Sequence, residues 1–188
     1  MENKEKILLL SCCAPCSCAV IKKLKEEDTS FAVLFYNPNI YPQTEYIKRR
    51  DEQKRLCRQW DIEFIELEYN PEDWLKMATP YKDEPERGMR CSLCFEYRLT
   101  RVMEYAKANG YKKVSSVLGV SRWKNLAQVN TAAQKASEKT GVSYIEIEGR
   151  KNGMQEQRAR LIKELQLYNQ TYCGCIFSQK NNTITSKS

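Results

Sequence analysis

The stretch from residue 7 to residue 27 constrains the fold more than any other part of the chain. The apolar run at residues 7–10 predicts a buried strand, and residues 17–27 predict a helix. Four of the nine cysteines lie in or beside the turn between them: Cys12, Cys13, Cys16 and Cys18. Because open α/β sheets bind ligands at the carboxyl ends of their strands, thiols at this turn indicate a soft metal or a redox site.

The remainder of the chain repeats the alternation of strand and helix. Further apolar segments predict strands at residues 31–36, 62–69, 113–120 and 142–147. Charged and amphipathic segments predict helices at 44–60 with Thr44 as N-cap, from residue 71, and at 91–109, 126–140 and 154–167. This order predicts an α/β fold, a single-domain parallel sheet with helices on both faces. We expect the domain to span residues 1–177 and a disordered polar tail to cover residues 178–188.

Histidine is absent from the 188 residues, which removes imidazole as a metal ligand, general base and proton shuttle. The net charge of +7 favours a polyanionic partner such as nucleic acid, with a basic solvated surface as an equal alternative. No stretch approaches the roughly 18 apolar residues that a membrane span needs. The N-terminus is charged and the apolar run behind it is short, so we expect no secretory signal. We therefore expect a cytoplasmic protein that does not enter a membrane.

Six cysteines form three closely spaced pairs: Cys12 with Cys13, Cys91 with Cys94, and Cys173 with Cys175. In a cytoplasmic protein such pairs favour metal ligation or redox chemistry over structural disulfides. A Cys-x-x-Cys at a helix start brings two thiols to one centre, and the helix dipole stabilises their thiolates. An iron–sulfur cluster, a four-cysteine zinc site and buried core thiols all remain compatible with this spacing. A thioredoxin-like motif is less favoured, because it would not need the other pairs.

Cys173 and Cys175 are separated by one glycine and allow two interpretations. They can ligate a metal, or they can form a small, strained disulfide of the reducible, catalytic kind. Cys18 and Cys57 lie within helical segments, and we expect both to be core cysteines.

Short motifs follow one another between residues 7 and 177. They are Cys-Cys-Ala-Pro at 12–15, Tyr-Asn-Pro-Asn-Ile at 36–40, Glu-Tyr at 45–46, Arg-Arg at 49–50, Arg-Cys-Ser-Leu-Cys-Phe at 90–95 with Arg98, Lys-Asn-Gly at 151–153, and Tyr-Cys-Gly-Cys at 172–175. In this order the chain resembles the epoxyqueuosine reductase QueH family. The motifs are specific as a set, whereas Cys-x-x-Cys alone is not.

The resemblance implies a fold of the adenine-nucleotide α-hydrolase-like (HUP-like) group. It implies a cobalamin-independent oxidoreductase that reduces the epoxide of epoxyqueuosine in tRNA to queuosine, the last step of queuosine biosynthesis. It also implies a 4Fe-4S cluster. The implied cluster ligands are Cys12, Cys13, Cys91 and Cys94. Cys173 and Cys175 would be a redox-active pair or ligands of an additional iron ion. Cys16 stands where other members can carry Asp, a candidate ligand of that second iron.

The resemblance also implies contacts with the tRNA anticodon loop and an electron donor such as ferredoxin or flavodoxin. Candidate stacking or phosphate contacts are Tyr41, Arg49, Arg50, Arg98, Arg122, Trp123, Lys124 and Lys151. The first turn holds Ala14 and Pro15 in place of the glycines of a phosphate loop, which disfavours an ATP-dependent sulfurtransferase. A zinc-stabilised tRNA-binding module and an ATP-independent thiol redox protein are the alternatives.

Overall fold

The structure, a computed structural model, describes residues 5–178. Within them one sheet contains five strands: β1 (Ile7–Ser11), β2 (Phe31–Phe35), β3 (Phe64–Glu66), β4 (Lys113–Ser116) and β5 (Ser143–Tyr144). The strand order is β3-β2-β1-β4-β5, and every neighbouring pair is parallel. The predicted parallel α/β architecture is therefore confirmed.

Helices cover both faces of the sheet, as predicted. The described residues contain α1 (Ala14–Glu26), α2 (Gln43–Gln59), α3 (Pro71–Ala78), α4 (Met89–Ala108), α5 (Leu126–Thr140) and α6 (Met154–Glu164). Helices α1, α2 and α6 share a core on one face, and α4 and α5 share a core on the other. Parallel neighbours need a crossover connection, and a helix on either face supplies it while burying the sheet.

Strand β1 forms the centre of both cores. Ile7 and Leu9 pack among α1, α2 and α6, whereas Leu8 and Leu10 pack against α4 and α5. This alternation follows from the two-residue period of a strand, and all four side chains are apolar because helices cover both faces. The three leucines are fully buried, and each stabilises the fold by roughly 1.5–3 kcal/mol.

Helices α1 and α2 begin earlier than the sequence predicts. Helix α1 begins at Ala14 rather than at residue 17, because its first turn tolerates a proline. Helix α2 begins at Gln43 with Pro42 as its N-cap, so the predicted Thr44 cap is wrong. Cys18 and Cys57 are fully buried in these two helices, as predicted for core cysteines.

Strand β2 is one residue shorter than predicted, and three other strands are shorter by several residues. Strand β3 covers Phe64–Glu66 of the predicted 62–69, and β5 covers Ser143–Tyr144 of the predicted 142–147. Strand β4 ends at Ser116 rather than at residue 120. An apolar run marks the segment that is buried, whereas a strand extends only as far as a neighbouring strand can pair with it.

The direction in which strands are added to the sheet reverses between β1 and β4, which makes this a topological switch point. The turn after β1 carries Cys12 and Cys13, and the loop after β4 leads to Asn125, the N-cap of α5. Open α/β sheets bind their ligands in the crevice at the carboxyl ends of the strands at such a point. The cysteine turn therefore lies where this architecture binds ligands.

The end of the described chain corrects one prediction. Ser178, the first residue of the expected polar tail, is buried, and its Oγ donates a hydrogen bond to the Cys175 carbonyl at 2.8 Å. Residues 179–188 of that expected tail lie outside the described residues. Among residues 5–178, the helices are all too short or too polar to cross a bilayer.

Candidate active site

Three thiols meet at the N-terminus of α1. The Sγ atoms of Cys12, Cys13 and Cys16 all lie within 4.8 Å of one another. The Cys12 and Cys13 sulfur atoms are 3.7 Å apart. Cys13 is the N-cap of α1, and the first helical turn brings Cys16 back over it, because residues three apart lie on one face of a helix. We call these three residues the α1 thiol group.

The α1 thiol group favours one thiolate. Hydrogen bonds from the Cys13 and Cys16 thiols lower the pKa of Cys12 well below its usual value, with help from the charges of Arg98 and Arg49. Burial raises the pKa of Cys13. Without a metal ion, the three cysteines therefore favour a single thiolate, at Cys12, over three thiolates. A bound metal ion is the usual agent that deprotonates several adjacent thiols at once.

A buried glutamine holds the turn that carries these thiols. Gln53 of α2 is fully buried, and its Oε1 accepts hydrogen bonds from Ser11 Oγ at 2.7 Å and Ser17 Oγ at 2.8 Å. Because Ser11 ends β1 and Ser17 lies in α1, Gln53 fixes the strand-to-helix turn from both sides. The sequence carried no signal for this role, since a glutamine in a charged helix is typical of a solvated face.

Four further cysteines gather near the N-terminus of α4. Cys91 and Cys94 lie in its first two turns. Cys94 and Cys175 pack in one buried cluster with Cys173 at its edge. The charge of Cys173 also acts on Cys91. We call these four residues the α4 thiol group.

Two N–H groups point at the sulfur atoms of the Cys-x-x-Cys motif. Trp74 Nε1 donates to Cys94 Sγ at 3.3 Å, and the backbone N–H of Arg87 donates to Cys91 Sγ at 3.3 Å. N–H donors to sulfur are a recurring feature of metal-bound cysteines. Burial nevertheless raises the pKa of both Cys91 and Cys94. The two N–H donors therefore offset only part of the cost of a thiolate here, and a bound metal ion would supply the rest.

Lys124 is the cation of the α4 thiol group. Its Nζ lies 2.5 Å from Cys173 Sγ. Burial raises the pKa of Cys173, but the charge and hydrogen bond of Lys124 outweigh burial, and the net shift is downward. Burial raises the pKa of Cys175 to about 12. Cys173 is thus the more acidic member of its pair. The Lys124 ammonium points inward to Cys173, which corrects the prediction that Lys124 contacts an RNA phosphate.

Arg98 acts on both thiol groups. Its buried guanidinium donates a hydrogen bond to Asn37 Oδ1, and Asn37 Nδ2 donates to the Ser11 carbonyl at 2.9 Å. Its positive charge favours the thiolate forms of both Cys12 and Cys173. This burial corrects the expected RNA contact, because only 3% of Arg98 is exposed and its hydrogen bonds go to groups inside the protein.

Arg49 holds the C-terminal cysteine segment against α2. Its side chain is only 2% exposed and donates to the carbonyls of Tyr172 and Cys173, both at 3.1 Å. It also forms an ion pair with Glu45 at 2.7 Å. Gly174 has φ +102°, and a Cβ there would come within 3.0 Å of the guanidinium. Arg49 therefore binds partners inside the protein, which corrects the prediction that it contacts an RNA phosphate.

Four of the predicted RNA-contact residues do lie at the surface: Tyr41, Arg122, Trp123 and Lys151. Trp123 is 78% exposed. The Arg87 guanidinium donates to the backbone carbonyls of Trp123 at 3.0 Å and Arg122 at 3.3 Å, which places further positive charge beside the indole. Arg50 differs from these residues, because it is paired with Asp51 at 2.8 Å.

The donor set fits a thiophilic metal group. Soft thiolate ligands select iron–sulfur clusters and zinc, and this chain has no histidine to compete. The expected four-ligand set takes Cys12 and Cys13 from the α1 thiol group and Cys91 and Cys94 from the α4 thiol group. Among the described residues, the sulfur atoms found within 4.8 Å of one another are those of Cys12, Cys13 and Cys16, so the meeting of the two pairs at one metal stays a prediction. Cys16 is an additional sulfur donor beside the first pair.

The fold and the site together define a class of protein. It is an α/β domain of the adenine-nucleotide α-hydrolase-like topology, with cysteine thiols at the switch point where a phosphate loop would lie. A solved structure with this fold is the U34-tRNA thiolase NcsA from Methanococcus maripaludis with its 4Fe-4S cluster. It matches with a TM-score of 0.55 and 15% identity, over 98% of this chain and 65% of that chain. At this identity the likeness is one of fold.

Sequence comparison identifies the family within that class. The family model described as epoxyqueuosine reductase QueH matches residues 7–181. The QueH proteins of Histophilus somni and Acinetobacter baylyi are each 40% identical over 181 residues, which is 96% of this chain and 74% and 83% of theirs. The Thermotoga maritima QueH is 34% identical over 92% of this chain and 89% of its own. The chain belongs to the epoxyqueuosine reductase QueH family, which confirms the resemblance seen in its motifs.

Proposed function

We propose that this protein is an epoxyqueuosine reductase that acts on tRNA. The reaction adds two electrons and two protons to the epoxide, so that the oxygen leaves as water and a carbon–carbon double bond forms. The observation that carries the proposal is the family match over residues 7–181, which includes every cysteine of both thiol groups.

We infer that this protein binds a 4Fe-4S cluster, with Cys12, Cys13, Cys91 and Cys94 as the proposed ligands. Support comes from the all-thiol donor set and from the N-termini of α1 and α4, whose dipoles favour thiolates. Cys16 is the donor left for an additional iron ion. When bound, these groups supply single electrons and a Lewis acid for the epoxide oxygen.

Cys173 and Cys175 serve as a redox-active pair. When the two thiols join in a disulfide they release two electrons and two protons, which is what the epoxide needs to yield an alkene and water. Lys124 holds Cys173 as the more acidic thiol, whereas Cys175 keeps its proton. Arg49 and Gly174 hold the short segment that must bend to join them.

The surface around Trp123 is proposed to receive the anticodon loop. The exposed indole can stack on an unpaired base, and Arg87 and Arg122 can neutralise phosphates. Tyr41 and Lys151 are further exposed candidates for this contact. A ferredoxin or flavodoxin restores the thiols in the cytoplasm, where cysteines stay reduced.

The direct test is anaerobic purification followed by absorption spectroscopy and by iron, sulfide and zinc analysis. A brown protein with a broad band near ~400 nm that dithionite bleaches, and with about four irons or more, supports the cluster. Incubation with epoxyqueuosine-containing tRNA and mass spectrometry of the nucleosides must then show queuosine. A colourless protein with one zinc and no queuosine would refute the reductase and favour a zinc-stabilised tRNA-binding module.

Cysteine variants separate the proposed roles. Cys12→Ser is expected to lose both the cluster absorption and turnover. Cys173→Ser is expected to keep the absorption and lose turnover. Cys18→Ala is the matched control, because Cys18 is buried in α1 outside both thiol groups, and it should keep both properties. Full turnover by Cys173→Ser would exclude an essential redox pair.

A further inference from the structure

A glutamine from the C-terminal part of the chain lies over the α1 thiol group. Gln170 Nε2 is 2.7 Å from Cys13 Sγ and 4.0 Å from Cys16 Sγ. An amide nitrogen can only donate, so the contact to Cys13 is an N–H···S hydrogen bond. Neither the family motifs nor the proposed reaction gives this residue a role.

The segment that carries Gln170 is anchored to α2 through Tyr168. Glu52 Oε1 accepts the Tyr168 backbone N–H at 2.9 Å, and the Glu45 carboxylate accepts its hydroxyl at 3.0 Å. Lys48 Nζ lies 3.9 Å from the centre of the tyrosine ring. Spaced three and four residues apart, the three α2 side chains lie on one face of the helix and act together.

A second anchor follows Gln170, where Arg49 donates to the Tyr172 carbonyl at 3.1 Å. Gln170 thus lies two residues from an anchored neighbour on either side. Its Oε1 is buried and accepts no hydrogen bond from the described residues. A buried acceptor without a partner costs free energy. The orientation of the Gln170 amide is therefore not explained by a hydrogen bond to its oxygen. It is explained by the hydrogen bond from its nitrogen to the Cys13 sulfur.

We propose that Gln170 is a positioning residue that tunes the metal centre through its hydrogen bond to the Cys13 sulfur. The inference rests on the proposed function, because Cys13 is one of the proposed cluster ligands. An N–H donor withdraws electron density from a metal-bound sulfur and stabilises the reduced, more negative state of the centre. Gln170 therefore raises the reduction potential, which eases reloading by a low-potential donor.

The test is a redox titration of the full-length, cluster-loaded protein, followed by absorption and electron paramagnetic resonance. Gln170→Met removes the donor with little change in length, and Gln170→Glu replaces it with an acceptor of the same shape. Asn169→Ala is the control, because Asn169 is the exposed neighbour. At pH 8 we expect the midpoint potential to move to more negative values in both Gln170 variants and to stay unchanged in the control.

Each other outcome overturns the inference in its own way. An unchanged potential in Gln170→Met with full iron content shows that the hydrogen bond has no influence on the centre. Loss of iron from both Gln170 variants, but not from Asn169→Ala, shows that the residue holds the site together instead of tuning it. If the wild-type protein binds no cluster, the proposed function is refuted, and the inference about Gln170 is refuted as a consequence.

Discussion

Replacing Arg49 with methionine tests whether this arginine is part of the internal framework or of an RNA-binding surface. Methionine keeps an unbranched side chain of similar length but removes the guanidinium. The change breaks the hydrogen bonds to the Tyr172 and Cys173 carbonyls and the ion pair with Glu45. A surface role in RNA binding predicts no loss of stability, whereas the internal role predicts a large one.

The structure sets the size of that loss. A hydrogen bond to a charged group contributes about 1.5–3 kcal/mol, and breaking a buried ion pair costs about 3–5 kcal/mol. These contributions do not add in full, because Glu45 keeps the Tyr168 hydroxyl as a partner at 3.0 Å. We expect Arg49→Met to lower the free energy of unfolding by about 3–4 kcal/mol, a large part of the roughly 5–15 kcal/mol of an ordinary domain.

Urea denaturation of the metal-free protein, followed by circular dichroism, measures this loss. Arg50→Met is the matched control, because the next arginine along α2 pairs with Asp51 near the surface and should cost at most about 1 kcal/mol. Alkylation of Cys173 in native buffer should also become faster in Arg49→Met as the segment loosens. If the free energy of unfolding of Arg49→Met lies within about 1 kcal/mol of the wild-type value, the hydrogen bonds of Arg49 to the C-terminal segment contribute little to stability.

Three further substitutions test other parts of the site. Gly174→Ala places a Cβ 2.9 Å from Ile40 Cγ1 at φ +102°, and should lower the unfolding free energy in urea by about 1–3 kcal/mol. Lys124→Met raises the pKa of Cys173, because it removes the adjacent cation, so iodoacetamide alkylation of the metal-free protein at pH 7 should fall about tenfold in a pH–rate profile. Trp123→Ala should change stability by less than about 0.5 kcal/mol yet raise KM for tRNA about 5- to 150-fold, the equivalent of one base stack of about 1–3 kcal/mol. An unfolding free energy equal to that of the wild type in Gly174→Ala would contradict the first inference. An unchanged alkylation rate in Lys124→Met would contradict the second, and an unchanged KM in Trp123→Ala would contradict the third.

Features that depend on neighbouring residues in the chain could be predicted from the sequence. Helix α5 begins and ends as predicted, because Asn125 Oδ1 accepts the Ala127 and Gln128 N–H groups and Gly141 adopts φ +76° after the last turn. Strand β1 is predicted for the same kind of reason, since a short uninterrupted apolar run before a turn is typical of a strand covered on both faces.

Features that depend on the whole fold could not be predicted. Charge usually means exposure, and the arginines and the lysine near the cysteines were therefore expected to face RNA. Arg49 and Arg98 are buried instead because backbone carbonyls or an amide oxygen, far away in sequence, accept their hydrogen bonds. Lys124 turns inward because Cys173, supplied by a distant segment, offers a sulfur partner. A pattern in one segment carries no information on such partners.

The position of the α1 thiol group explains how one fold serves different chemistries. In many α/β proteins the helix after the first strand binds phosphate, because glycines let its backbone N–H groups approach the anion. Here Ala14 and Pro15 occupy that first turn, and the proline has no N–H to donate. The positive end of the helix dipole remains, and the three thiols lie against it. Because the field that stabilises a phosphate also stabilises a thiolate, the same place in the fold can hold either group, and the residues of this turn decide which one it holds.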